Sequence, residues 1–173
     1  MFREIQPSAA DFLKLARRHT VIPVWVTLPA DLETPVSAFL KLDDGRFSFL
    51  LESAAGEEKI ARFSFLGSQP RLIFSSRQRD IEIRERQADG RAVVRQFHTA
   101  TDPLTEIQRL MTRFRPAVFS QLPRFCGGLV GYLGYNTVQF LERVPAHRVD
   151  QLGIPDISLM LTESLVIFDH AQH

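Results

Sequence analysis

The residues with the most chemical potential lie between positions 50 and 67. Leu50-Leu51-Glu52-Ser53 is an apolar run that ends in a carboxylate and a hydroxyl. Glu57-Glu58-Lys59 follows after Gly56, and Arg62-Phe63-Ser64-Phe65-Leu66-Gly67 returns with a cation and two phenylalanines. Read as two strands and the loop between them, these residues set an acid, a hydroxyl and one or two cations beside an aromatic-rich sheet. An amino acid ligand needs that inventory: an acid for its ammonium, a cation or N–H for its carboxylate, and an apolar wall for its side chain. A hairpin rimmed by charges has the same pattern, so the residues by themselves leave both readings open.

Other chemistry-bearing residues are less convergent. Gly127-Gly128-x-x-Gly131-x-x-Gly134 has the glycines of a phosphate cradle, but Leu129, Val130, Tyr132 and Leu133 between them favour burial. Glycines in an apolar strand more often permit a close backbone approach, and that structural role is expected here. A single-stranded RNA-binding G-x-x-G loop would be polar and basic. Cys126 has no nearby histidine to activate it and is expected to be a packing residue. His19, His98, His147, His170 and His173 are scattered, with only His170 and His173 spaced to share a helical face. The sequence has no P-loop, no H-E-x-x-H and no G-x-S-x-G.

These residues must be positioned by regular elements, and the chain offers them in mixed order. Ser8 to Arg18 reads as a helix capped by Ser8, with Asp11 at the capping-box position. Val21 to Leu28 is β-rich but holds Pro23, which predicts an edge strand. Thr34-Pro35 and Asp102-Pro103 each pair a cap with a proline whose missing N–H costs nothing in the first turn. Between those two helices the period changes to two. Strands are expected at Phe47 to Leu51, Ile60 to Leu66, Leu72 to Ser75, around Ile81 and Ile83, and at Arg91 to His98. The last two should form a hairpin across Ala88-Asp89-Gly90, with one apolar face and one wet face. Leu104, Ile107, Leu110, Met111 and Phe114 make a helical stripe for a core, and Ile157 to Phe168 is again β-like. Helices among antiparallel strands predict an α+β fold: largely antiparallel sheets with two or three packed helices.

Composition bounds the function. The 173 residues are 45% hydrophobic and 24% charged, ordinary material for one globular domain. With 21 basic and 20 acidic residues the net charge is +1, which gives no global field to attract nucleic acid or an anionic membrane. Arginine outnumbers lysine 18 to 3, but the arginines alternate with acids, as in Arg79-Asp80 and Arg84-Glu85-Arg86. That pattern describes a solvated strand face. One cysteine permits no internal disulfide, and no run approaches the length of a membrane span. A cytoplasmic location is expected. The sequence stops soon after an apolar strand, which suggests a fragment of something larger.

Several motifs together resemble one family. Leu50-Leu51-Glu52-Ser53, Arg62-Phe63-Ser64-Phe65-Leu66-Gly67 and Pro70-Arg71 are similar to the pattern LLES…GRYSFIG…PR of the N-terminal region of anthranilate synthase component I, a chorismate-utilising enzyme. Pro35 to Leu42 resembles the segment before it. Pro123 to Tyr132 resembles the P-x-F-x-GG-x-x-GY signature, and Ile154-Pro155-Asp156 and Val166 to His170 continue in order. Ala61, Phe63, Asn136 and Glu163 depart from the family's usual residues without removing a group the binding reading needs.

The resemblance implies that residues 1–173 form a single N-terminal regulatory domain of a two-domain lyase. The parent converts chorismate to anthranilate and pyruvate with ammonia from a glutamine amidotransferase subunit. It implies no cofactor in this chain, magnesium in the separate C-terminal catalytic domain, and no catalytic residue here. It further implies a feedback site for L-tryptophan, onto which Leu51, Glu52, Ser53, Lys59 and Arg62 are carried. Expected partners are tryptophan, the chain's own catalytic domain and the amidotransferase, with no nucleic acid and no membrane. The alternatives are the matching region of aminodeoxychorismate synthase component I and a stand-alone binding module.

Overall fold

The computed structural model describes residues 4–52, 62–145 and 152–171. Among them are three α-helices, α1 (Ala9–Leu15), α2 (Pro35–Leu42) and α3 (Pro103–Met111), and a 3-10 helix (Tyr135–Phe140). Eight strands follow the order β1 (Ser48–Leu51), β2 (Phe63–Ser68), β3 (Leu72–Arg77), β4 (Asp80–Arg86), β5 (Ala92–His98), β6 (Gly128–Leu133), β7 (Ile157–Thr162) and β8 (Val166–Asp169). They make two antiparallel sheets, β1-β2-β8 and β5-β4-β3-β7-β6. The fold is therefore α+β, as the mixed order of periods predicts.

The larger sheet holds the core. Register places Phe74 between Ile83 and Leu159, and Leu72 next to Leu161, so alternate residues of three central strands share one face. On that face Leu72, Phe74, Ile81, Ile83, Ile157, Leu159 and Leu161 are buried, and Leu104, Ile107, Leu110 and Phe114 from α3 and its C-terminal end pack against them. The cap that starts α3 forms as its sequence dictates: the Thr105 N–H donates to Asp102 Oδ1 at 2.8 Å. Thr34 accepts from the Ser37 N–H at 3.0 Å while the Thr34 N–H donates to Ser37 Oγ at 2.9 Å, a reciprocal box at the start of α2. Ser8 accepts from the Asp11 N–H at 3.2 Å at the start of α1.

Two passes of chain build both sheets. β2 continues into β3 through Gln69-Pro70-Arg71, and β7 into β8 through residues 163–165, so each pass leaves one sheet for the other at a corner. Arg71 ties the two corners together. Its Nη1 donates to Glu163 Oε1 at 3.0 Å, its Nε lies 3.5 Å from Glu85, and its backbone N–H donates to the Leu161 carbonyl. At one edge, β6 approaches β7 so closely that a Cβ on Gly131 would overlap the Ser158 carbonyl oxygen and lie 2.9 Å from Leu159 Cα. Gly131 is thus required by backbone packing.

Two expectations are corrected. Val21 to Leu28 is not a strand: it makes only the isolated bridges Val21 to Pro116 and Trp25 to Gln6, because Pro23 and Pro29 interrupt a ladder. The β4–β5 hairpin turns at Gly90 (φ 84°) as expected, but β5 is exposed along its length and has no buried apolar face. The β-like segment from Ile157 to Phe168 forms as two strands, β7 and β8, in different sheets. Among the described residues no helix is long and apolar enough to cross a membrane.

Candidate functional site

The smaller sheet carries the site suggested by sequence. β1 and β2 pair with Leu51 opposite Phe65, which puts these two side chains on one face. Phe65 stacks edge-on against Phe125 with ring centroids 5.2 Å apart, and Phe63 lies 6.0 Å from Phe65. Leu51 remains partly exposed beside these rings. An apolar, aromatic wall therefore exists, and it draws Phe125 from the glycine-rich segment against the hairpin.

Strand alternation turns Glu52 to the opposite face. There the buried Ser64 hydroxyl lies 3.5 Å from Glu52 Oε1 and 2.7 Å from His170 Nε2. His170 follows β8, and its backbone N–H donates to the Arg62 carbonyl at 2.8 Å. The pairing of β2 with β8 thus carries a histidine more than 100 positions away onto the Glu52 face.

Arg62 is already engaged. Its Nε and Nη2 donate to the two oxygens of Asp169 at 2.8 and 2.7 Å, and its guanidinium sits over the Phe63 ring, 4.8 Å from the centroid. These hydrogen bonds hold the Asp169 carboxyl below the usual carboxylate range against the opposing effect of burial. The same pair raises the Arg62 pKa. A ligand carboxylate at Arg62 would have to share the guanidinium with Asp169.

Of the five residues carried onto the site, Leu51, Glu52 and Arg62 gather around the open end of the β1–β2–β8 sheet. Ser53 and Lys59 lie outside the described residues. Sequence reasoning missed Ser64, Asp169 and His170. Ser64 sits two positions after Arg62 in the same motif, and alternation alone could have placed it beside Glu52. The approach of Asp169 and His170 depends on strand pairing that has no local signal. A depression of about 370 Å³ lined by Lys14, Leu15, Arg17, Arg18 and His19 lies at the end of α1. It has no acid and no phenyl or indole ring and belongs to a different part of the molecule.

The chain is similar in sequence to proteins of one name. A protein of Acetivibrio thermocellus named anthranilate synthase component 1 is 35% identical over 164 residues, which cover 95% of this chain and 32% of that protein. Proteins of the same name from Aquifex aeolicus and Pseudomonas putida are 40% and 38% identical over 94% and 92% of the chain. By sequence, the chain is similar to an N-terminal part of proteins named anthranilate synthase component 1. It spans about a third of the length of these relatives. The crystal structure of anthranilate synthase component I from Streptococcus pneumoniae aligns with 84% of the chain and 29% of its own, at 24% identity and a TM-score of 0.48. No protein-family model matches the chain.

Proposed function

We propose that this chain is the regulatory N-terminal domain of anthranilate synthase component I and contributes a feedback site for L-tryptophan. The observation that carries the reading is the 35–40% identity to anthranilate synthase component 1 over more than nine tenths of the chain. The site's chemistry is consistent with it. Glu52 is an acid for an α-ammonium, and Leu51, Phe63, Phe65 and Phe125 are an apolar wall for an indole. Acid and wall lie on opposite faces of the sheet, so a ligand touching both sits across the end of β1, where the two faces meet. Ser53 and Lys59 follow that end in sequence and complete the proposed set. The relatives' names favour the anthranilate over the aminodeoxychorismate branch.

On this reading the whole enzyme turns chorismate and ammonia into anthranilate and pyruvate, with ammonia delivered by a glutamine amidotransferase. Magnesium and the chorismate site belong to the catalytic part, and this chain alone turns nothing over. Inhibition follows from population shift: tryptophan binds one arrangement of the two domains better than the other. A ligand touching only this domain equally in both arrangements would shift nothing, so part of the pocket comes from the catalytic domain.

The test is a titration of the isotope-labelled chain with L-tryptophan, followed by amide NMR. Binding in the roughly millimolar range, with shifts centred on residues 51–65, is expected of a half-built pocket. Submicromolar affinity would refute the shared pocket, and no perturbation at saturating ligand would refute the tryptophan site. Anthranilate fluorescence from the chain with chorismate and ammonia would overturn its assignment as a non-catalytic domain.

A further inference from the structure

Ser64 has one proton and two neighbours that can take it. Its hydroxyl donates once and accepts through two lone pairs, whereas an ionised carboxylate only accepts and a histidine nitrogen does either according to its protonation. Ser64 is 2% exposed, so water does not resolve the competition. When His170 Nε2 is bare, the 2.7 Å contact takes the hydroxyl proton and the 3.5 Å contact to Glu52 loses it. When Nε2 carries hydrogen, His170 donates to Ser64 Oγ, and the Ser64 proton turns to Glu52. Full protonation of the ring makes that second arrangement obligatory and brings a positive charge to the Glu52 face.

We infer that Ser64 and His170 are positioning residues for Glu52, and that through them the protonation of His170 controls how well Glu52 receives the ammonium group of an amino acid. With a neutral ring that leaves Nε2 bare, both Glu52 oxygens are open to the ligand. With a charged ring, Ser64 takes up one lone pair of Oε1 and the cation repels the ammonium. Both effects have the same sign, so affinity falls as His170 takes up its second ring proton. Among the described residues, two ion pairs lie on the elements packed around the cluster. Arg62 preceding β2 is bound to Asp169 of β8, and on α2, which packs against β1 and β2, Lys41 is bound to Glu33. The inference rests on the proposed amino acid site for its ligand, but the Ser64 relay itself does not.

Two readouts on the full chain separate these layers. The first needs no ligand. Across pH 5 to 8, the 13C signal of the Glu52 carboxyl should step at the midpoint of the His170 ring signals, and Ser64→Ala should shrink that step. A Glu52 signal indifferent to His170, or one unchanged by Ser64→Ala, overturns the relay.

The second compares L-tryptophan with indole-3-propionate, which keeps the ring and carboxylate but has no amino group. Tryptophan should bind roughly tenfold more weakly well below the observed His170 midpoint than well above it, as expected for one charge-assisted hydrogen bond and a like charge. Indole-3-propionate should lack that loss, and His170→Gln should flatten the tryptophan profile while leaving the chain folded. A His170→Gln profile as steep as the parent's overturns the control of binding. A coupled Glu52 step with no tryptophan binding at any pH supports the relay and overturns the ligand reading.

Discussion

The five-stranded sheet closes an apolar core under α3, whereas the three-stranded sheet, built from the same two passes of chain, buries a hydroxyl between an acid and an imidazole. In the first, Phe74 is fully buried among leucines and isoleucines drawn from three strands. In the second, Phe49, Ser64 and Leu66 are buried, but the sheet ends in Leu51, Glu52, Arg62 and His170 at the surface. The difference separates stability from recognition. A face that hides only carbon atoms gains from every methylene removed from water. One that keeps a hydroxyl, a carboxylate and a ring nitrogen within reach of each other gains less, but it can respond to a ligand or a proton.

The largest effect that sharpens this contrast comes from the core of each sheet. Phe74→Ala should cost about 4 kcal/mol, the usual cost of emptying a buried aromatic site, and lower Tm by roughly 10 °C or more. Leu66→Ala in the smaller sheet should cost about 2–3 kcal/mol and lower the same single transition, because Arg71 couples the two corners. Two separate calorimetric transitions in Leu66→Ala would show that the sheets do not fold as one unit. Next in size is Gly131→Ala, at roughly 2–3 kcal/mol, because the added methyl has backbone and not a flexible side chain in its way. The thermal melt measures it. A Tm unchanged by Gly131→Ala would mean that β6 can move off β7, and that the glycine run is free for a role other than packing.

The helices were legible because their signals are local. Ser8, Thr34-Pro35 and Asp102-Pro103 name their own helix starts, and each cap forms as written. Strands β1, β3 and β4 were legible from their alternation. Val21 to Leu28 misled because β-rich composition says nothing of a partner, and its prolines leave gaps in any ladder. The division of the β-like stretch after Ile157 between two sheets was not legible, because the partner of each half lies far away in sequence. The site was half legible for the same reason. Leu51, Glu52 and Arg62 sit in one motif, but Asp169 and His170 reach them only through the β2–β8 pairing, a contact across about 100 residues that no local pattern announces.

The smallest expected effect separates the two regions by pH. Asp102, capping the helix that covers the large sheet, is held below the usual carboxylate range chiefly by the Thr105 N–H, with the Thr105 hydroxyl helping and burial opposing. Asp169 in the small sheet is lowered as well, chiefly by Arg62, but that pair is substantially exposed and solvent screens it. A carboxyl whose folded pKa is depressed contributes stability that is present above its unfolded pKa and is lost as pH falls through the folded one. Both groups therefore stabilise the chain at neutral pH; the contribution begins to fall near pH 4, about the unfolded value, and is gone only below their lowered folded values. Asp102→Ala should cost about 1 kcal/mol at pH 7 and less at pH 3. Asp102→Asn keeps an acceptor for the cap and should cost less at pH 7, while also reducing the acid-dependent loss. Asp169→Asn should flatten the acid limb less than Asp102→Asn does, because its ion pair is worth little in water. Melts of the three variants at pH 7 and pH 3 decide the order. An Asp169→Asn effect larger than that of Asp102→Ala would place the chain's acid sensitivity in the ligand-facing sheet rather than under the helix.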